Sequence, residues 1–300
     1  MASTTQARLF GVLGDPIEHS LSPVMQNAAF AAASLPHVYL RYRVPVAALP
    51  RALAEARALR MGGLNLTVPL KEAVIPLLDA VSPEASRIGA VNTIVFRRDG
   101  RIVGENTDGE GFLRALRGRI RFRGARAVLV GAGGSARAVA VALVRAGCAS
   151  ITIANRTLAR AERLAERVAS LGATAAAVPL AALAGGAALA QATVVVNATP
   201  LGLAGRGIRI RAAASPARCL FVDLVYNRRP TPFLAAAHRA GRATLDGSSM
   251  LLHQGALAFT AWTGRPAPRA AMARALRAAG LPLPRLGAAA SLRGRRPPTP

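Results

Sequence analysis

The run Ala125-Arg-Ala-Val-Leu-Val130 passes straight into Gly131-Ala-Gly-Gly-Ser-Ala136, and Arg137-Ala-Val-Ala-Val-Ala-Leu-Val144 continues as a helix. No other stretch restricts the fold as much. It reads as strand, glycine turn and helix with the spacing G-x-G-x-x-A. Gly131 permits the tight turn, Gly133 lets a pyrophosphate approach the backbone, and the small Ala136 lets helix and strand pack closely. The spacing alone is weak; its place between a strand and a helix makes Gly131, Ala132, Gly133, Gly134, Ser135 and Ala136 a candidate dinucleotide-binding turn. Further strands at Ser150–Ala154, Thr193–Asn197, Cys219–Val225 and Ala243–Leu245 provide for a six-stranded doubly wound sheet. Thr199 and Tyr226 follow strands, on the edge where such sheets bind ligands.

The residues after the second of these strands decide which dinucleotide. Asn155-Arg156-Thr157 stands where an NAD enzyme carries Asp or Glu for the ribose hydroxyls. A carboxylate there would repel a 2′-phosphate, whereas Asn, Arg and Thr would bind it, with the guanidinium as a fork for phosphate oxygens. The expectation is NADP. The plainer reading, that Arg156 is one more of many arginines, is weakened by the missing acid.

The first third alternates differently. Strands at Arg8–Leu13, Val38–Val44 and Gly63–Val68, with helices after Pro23 and over Leu49–Leu59, indicate an α/β layer with a mainly parallel sheet. Ile88–Phe96 and Arg101–Gly104 read as two strands around the hairpin turn Arg97-Arg-Asp-Gly100. Among 39 Lys and Arg residues only Lys71 is lysine. A residue needed only for charge can be Arg, but one that exchanges a proton near neutral pH cannot, because the guanidinium stays protonated. Lys71 lies two residues past Pro69, just beyond a strand end and in the first turn of a helix. Asp108, in Gly104-Glu-Asn-Thr-Asp-Gly109, also closes an extended run before a helix. Brought to one cleft, the two would form a proton-transfer pair. On spacing alone, an N-cap or Asx-turn role for Asp108 is the preferred reading.

Other candidates carry two readings each. Ser20 and Ser22, in a turn-rich loop before a helix, could hold a carboxylate at the helix N-terminus or could cap the helix. Asn92, polar within an apolar run, is either a hydrogen-bonded core amide or a group facing a cleft. The histidines form no constellation, and Cys148 and Cys219 form no metal or redox pattern.

Composition excludes several classes. No run of about 18 apolar residues suggests a membrane span, and the N-terminus lacks a signal-peptide apolar region, so a cytoplasmic protein is expected. The formal charge of +25 would ordinarily raise nucleic acid as a partner. Arginines are nevertheless scattered through every segment without an RNA-recognition or zinc-finger pattern, and aromatic residues make up 4%. No specific nucleic acid is expected. Residues 286–300, rich in Ala, Arg and Pro, read as a disordered basic tail.

Taken in order, Ile17-Glu-His-Ser-Leu-Ser-Pro23, Asn65-Leu-Thr-Val-Pro-Leu-Lys71, Gly89-Ala-Val-Asn-Thr93, Asn106-Thr-Asp-Gly109, Gly131-Ala-Gly-Gly134, Asn155-Arg-Thr157, Asn197-Ala-Thr-Pro-Leu-Gly202 and His253-Gln-Gly-Ala256 span nearly the whole chain. This set resembles the shikimate dehydrogenases, which interconvert 3-dehydroshikimate and shikimate with NADP on the route to chorismate. The resemblance implies two domains: a substrate domain of residues 1–108 and 246–285, and a Rossmann-type NADP domain of residues 109–245. It implies that Ser20 and Ser22 bind the substrate carboxylate and that Asn65, Thr67, Asn92, Asp108 and Gln254 bind ring hydroxyls. Lys71 and Asp108 would be the catalytic pair, and Tyr226 would position the substrate. Gly131–Ala136, Asn155, Arg156, Thr157 and Thr199 would hold NADP, in a monomer or homodimer. Its rivals are a quinate or aminoshikimate dehydrogenase of the same fold and, from another class, a non-catalytic nucleotide- or nucleic-acid-binding protein. Both Lys71 and Asp108 being present argues against the last, since a sensor needs no proton shuttle.

Overall fold

The computed structural model describes residues 6–97, 99–203 and 207–283, so the expected tail at 286–300 lies outside the described residues. The chain divides into two compact units, one of residues 6–114, 137–141 and 249–283 and the other of residues 115–136 and 142–248.

In the first unit, apolar runs alternate with helices up to a hairpin. In chain order it contains β1 (Leu9–Gly14), α1 (Ser22–Ala32), β2 (Val38–Arg43), α2 (Leu49–Ala58), β3 (Gly63–Leu66), α3 (Leu70–Ala73), β4 (Ala80–Val81), α4 (Pro83–Ile88), β5 (Thr93–Phe96), β6 (Ile102–Glu105) and the start of α5 (Asp108–Leu116). The sheet order is β2-β1-β3-β5-β6-β4. β1 pairs parallel with β2 and β3, while β5 runs antiparallel to β3 and β6. The expected strand from Ile88 starts later, at Thr93. Ser82 caps α4 by accepting from the Ala85 N–H, and Gly89 ends that helix in the left-handed conformation (φ 71°), so Ile88 belongs to a helix. β4, only two residues long, left no pattern to read.

The second unit is the doubly wound sheet that the glycine turn demands. It contains β7 (Arg126–Val130), α6 (Gly134–Arg145), β8 (Ser150–Asn155), α7 (Leu158–Ser170), β9 (Thr174–Pro179), β10 (Val194–Asn197), β11 (Leu220–Asp223), α8 (Pro232–Arg239) and β12 (Ala243–Leu245). The order is β12-β11-β10-β7-β8-β9, and all five pairings are parallel. The strand order reverses at β7, so the glycine turn sits at the topological switch point, where ligands bind such sheets. The sixth strand, β9, reads Thr-Ala-Ala-Ala-Val-Pro. Alanine is a poor strand former, and the pairing with β8 over Ser150–Asn155 is what makes it a strand. Val128, Val130, Val195, Phe221 and Phe233 fill the core on one face.

Two helices, α9 (Ser248–Thr263) and α10 (Arg269–Ala278), complete the fold. α9 is a core helix rather than an amphipathic one. Met250, Leu251, Leu252, Ala256, Ala258 and Phe259 are all buried, leaving it apolar nearly all round, as suits a core helix. Its Trp262 indole donates to the Ile94 carbonyl (2.9 Å) and stacks near Phe10, tying α9 to the first sheet.

Candidate active site

β3 delivers Asn65 and, five residues after its end, Lys71 in the first turn of α3; the Val68–Pro69 peptide between them is cis. Asp108 opens α5 after β6. The Lys71 Nζ lies 2.5 Å from the Asp108 Oδ2, with side chains only 11% and 6% exposed. Two buried charges face a large desolvation cost unless further hydrogen bonds share it. Asn92 supplies one, its Nδ2 donating to Asp108 Oδ1 (2.8 Å) and to Thr107 Oγ1 (2.9 Å).

The Asx-turn role preferred for Asp108 on spacing is filled by Asn106. Its Oδ1 accepts from the Asp108 N–H (3.0 Å), while its Nδ2 donates to Ala90 O (2.8 Å). With the turn held by its neighbour, the Asp108 carboxylate is left to Lys71 and Asn92. Asn92 is buried, and its Oδ1 accepts from the Thr107 N–H (2.8 Å) and the Thr93 hydroxyl (2.9 Å). Asn65 extends the network: Nδ2 donates to Asn92 O and Thr93 Oγ1 (both 3.0 Å), and Oδ1 accepts from the Tyr39 hydroxyl (2.8 Å). A continuous buried chain of hydrogen bonds thus runs from Tyr39 to Lys71. Tyr39, Thr93 and Thr107 were not singled out from sequence; for the threonines, adjacency to Asn92 and Asp108 was the available signal.

The remaining candidates in this unit sit at separate points. Ser20 and Ser22 are both buried. The Ser20 hydroxyl accepts from the Ser22 N–H (3.4 Å), and α1 starts with no side-chain cap, so the capping reading of Ser22 does not hold. Thr67 lies between β3 and α3, its carbonyl accepting from the Leu70 N–H (2.8 Å). Gln254, on α9, donates to Leu251 O (2.9 Å). Its backbone comes so close to Gly111 of α5 that a β-carbon there would lie 2.8 Å from the Gln254 nitrogen. Tyr226 belongs to the second unit, three residues past the end of β11.

In the second unit the glycine turn has the shape a pyrophosphate needs. Gly131 has φ 110°, and a β-carbon there would stand 3.0 Å from Thr199 Cγ2. Gly133 is extended and opens α6, which has no side-chain cap and no acid in its first turn. A β-carbon at Gly133 would stand in open space, and Gly133 lies at a helix N-terminus, where N–H groups and the dipole favour an anion. Ala132 and Ala136 are buried against the sheet. After β8, Asn155 Nδ2 donates to Thr157 O (2.8 Å), bending the loop and leaving Arg156 exposed. These residues fit a dinucleotide with a 2′-phosphate.

Two carboxylates on the same edge are shifted by their surroundings. Burial pushes Asp223 up to about 6 against the donors Thr231, Val225 and Asn197, with Asp246 adding repulsion. Asp246 is raised for the same first reason, burial. Burial also holds His37 below the usual imidazole range and pushes the Cys219 thiol up to about 11, so that thiol is inert at neutral pH.

A parallel sheet with a glycine turn at its switch point and a buried lysine–carboxylate pair in a second α/β unit define a two-domain dehydrogenase of the Rossmann class. Family models described as shikimate dehydrogenase substrate binding domain, shikimate / quinate 5-dehydrogenase and shikimate 5′-dehydrogenase C-terminal domain match residues 12–94, 115–228 and 247–277. The NADP(+) shikimate dehydrogenase of Moorella thermoacetica is 50% identical over 279 residues, covering 90% of this chain and 93% of that protein. The solved shikimate 5-dehydrogenase of Thermus thermophilus, in complex with NADP(H) and shikimate, is 43% identical with a TM-score of 0.78 over 91% of this chain and 99% of that one. The quinate dehydrogenase of Corynebacterium glutamicum, in complex with NAD, is 34% identical with a TM-score of 0.81 over 91% of this chain and all of that one. The chain belongs to the shikimate dehydrogenase family.

Proposed function

We propose that this protein catalyses the NADP-linked, reversible reduction of 3-dehydroshikimate to shikimate, in the cytoplasm and on the route to chorismate. The observation that carries the reading is the Lys71–Asp108 pair, buried at 2.5 Å and braced by Asn92. When bound, NADPH supplies the hydride that reduces the ketone carbon. Lys71, as the ammonium, donates a proton to the oxygen that gains negative charge, so the ketone becomes an alcohol with one hydride and one proton added. Asp108 keeps Nζ in place and stabilises the ammonium in which Lys71 is recharged from solvent. In the oxidative direction the neutral amine accepts the same proton.

In this reading Ser20 and Ser22 hold the substrate carboxylate, and Asn65, Thr67, Asn92, Asp108 and Gln254 meet the ring hydroxyls. Asn65 and Asn92 have both carboxamide atoms engaged within the protein, so much of their part in binding falls to the neighbours they orient. Tyr226 helps to position the substrate. NADP is held by Gly131–Ala136, Thr199 and the Asn155-Arg156-Thr157 loop. The enzyme works as a monomer or homodimer.

A second reading, activity on quinate, is favoured by the likeness to the Corynebacterium glutamicum enzyme. The deciding experiment is the initial rate of nicotinamide reduction with shikimate and with quinate, each with NADP+ and NAD+. Turnover confined to shikimate with NADP+ is the expected result. Comparable rates with quinate would move the assignment to a quinate or mixed enzyme, and no turnover with any pair would overturn both.

A further inference from the structure

Asp223 is fully buried in the second unit, outside the candidate catalytic and substrate groups, and keeps a carboxylate where an apolar side chain would be the ordinary occupant. Its Oδ1 accepts from Asn197 Nδ2 (2.9 Å) and the Val225 N–H (3.0 Å); its Oδ2 accepts from the Thr231 hydroxyl (2.6 Å). Asn197 ends β10 and in turn holds the next loop. Its Oδ1 accepts from the Thr199 N–H (3.0 Å) and hydroxyl (2.7 Å), and its Nδ2 also reaches Leu201 O (3.2 Å). Thr199 is the residue that a β-carbon on Gly131 would strike. On the other side, the Gly247 N–H donates to Val225 O (3.1 Å), and a β-carbon on Gly247 would stand 2.1 Å from Leu224 O. The carboxylate thus bonds both Asn197, which ends β10 and holds the loop after it, and the Val225 N–H in the loop after β11. These strands are neighbours, and β10 is next to β7, which carries the glycine turn.

We propose that Asp223 is a positioning residue for the ligand-binding edge: Oδ1 fixes the Thr199 loop against the glycine turn through Asn197 and holds the Val225–Tyr226 loop beside it, while Oδ2 is anchored by Thr231. Two acceptor atoms with three donors are needed for this, which explains a carboxylate rather than a hydroxyl or an apolar group. This bridge adds to the backbone bond from the Leu224 N–H to Asn197 O (2.9 Å) that joins the same strand ends, and charge-assisted hydrogen bonds are stronger than neutral ones. Asp223→Ala removes the bridge. Asp223→Asn keeps it: the amide oxygen still faces Asn197 and Val225, and the amide nitrogen meets Thr231 Oγ1, which has acceptor capacity.

The inference rests on the NADP reading above, and the test separates the two. Binding of NADPH is measured by isothermal titration calorimetry on the full chain, with the KM for shikimate and kcat alongside. Asp223→Ala is expected to weaken NADPH about tenfold and to raise the shikimate KM, whereas Asp223→Asn stays within about threefold of the unaltered protein on both. Thr231→Val removes one donor to Asp223 and the cap that the hydroxyl gives α8 at the Leu234 N–H while keeping the side-chain shape, and is the gentler variant should Asp223→Ala not fold; about threefold weaker NADPH binding is expected. A merely structural role would lower the active fraction, and with it kcat, at unchanged NADPH affinity and KM, and that outcome overturns the proposal. So does wild-type NADPH affinity in Thr231→Val together with Asp223→Ala. Failure of the unaltered protein to bind NADPH would instead overturn the NADP assignment.

Discussion

In the proposed reading the two units recognise their ligands by opposite means. In the first, the polar groups at Lys71, Asp108, Asn92 and Asn65 are buried and bonded to one another, so chemistry rests on side chains held in fixed positions. In the second, the edge at Gly131 and Gly133 lacks side chains, and the groups proposed to recognise the cofactor are backbone N–H at the start of α6, which has no side-chain cap. The contrast follows from the tasks. Proton transfer requires a titratable atom within hydrogen-bond reach of the reacting oxygen, whereas a pyrophosphate needs a close approach to main chain and a favourable dipole.

The largest effect expected is at the pair itself. Lys71→Ala should lower kcat by about 10²–10⁴-fold with the shikimate KM changed only modestly. Steady-state kinetics on a variant whose fold is verified by circular dichroism would check this, and near-normal turnover would take the proton shuttle away from Lys71 and erase the contrast.

Next is the pH dependence of the second unit. Asp223 is shifted upward, from 3.8 to about 6, so its contribution to stability is fully present below its unfolded pKa and is lost as pH rises through about 6. Asp246 is the charged group acting on it and is itself raised, so it acts in the same direction. Between pH 4.5 and 7.5 the unfolding free energy of the parent should fall by about 2 kcal/mol relative to Asp223→Asn. Urea denaturation of both proteins at the two pH values measures it; parallel profiles would show that the carboxylate is not titrating there.

The smallest of the three sharpens the comparison most directly. Gly133→Ala should leave the melting temperature nearly unchanged, because its backbone is extended and no protein atom lies in the way. NADPH binding should weaken about tenfold, or about 1.4 kcal/mol. A drop in stability with unchanged affinity would mean that the glycine serves the fold rather than the ligand.

Much of the site was legible because motifs carry local chemistry. The strand, glycine turn and helix from Ala125 to Val144 predicted both the sheet and its ligand edge, and the lone lysine marked Lys71. Asp108 was harder. On spacing it reads as a turn residue, and only the neighbouring Asn106, taking that turn, releases its carboxylate. Ser22 kept two readings for the converse reason: nothing in a Ser-Pro pair says whether the hydroxyl turns back to the helix. β9 was missed because its alanines have no strand preference, and the start of β5 was misplaced because Ile88 and Val91 are equally apolar in a helix, a turn or a strand.

By itself the sequence determined the class of the fold, the order of most of its elements and the candidates for the reactive groups, since periodicity, turn chemistry and titratable side chains are properties of short stretches. The tertiary structure alone decided which of those groups meet. Lys71 and Asp108 stand 37 positions apart, and Asp223 joins Asn197, 26 positions away. Such meetings depend on which strands become neighbours and in what register, and that is set by burying the whole core at once rather than by any local signal.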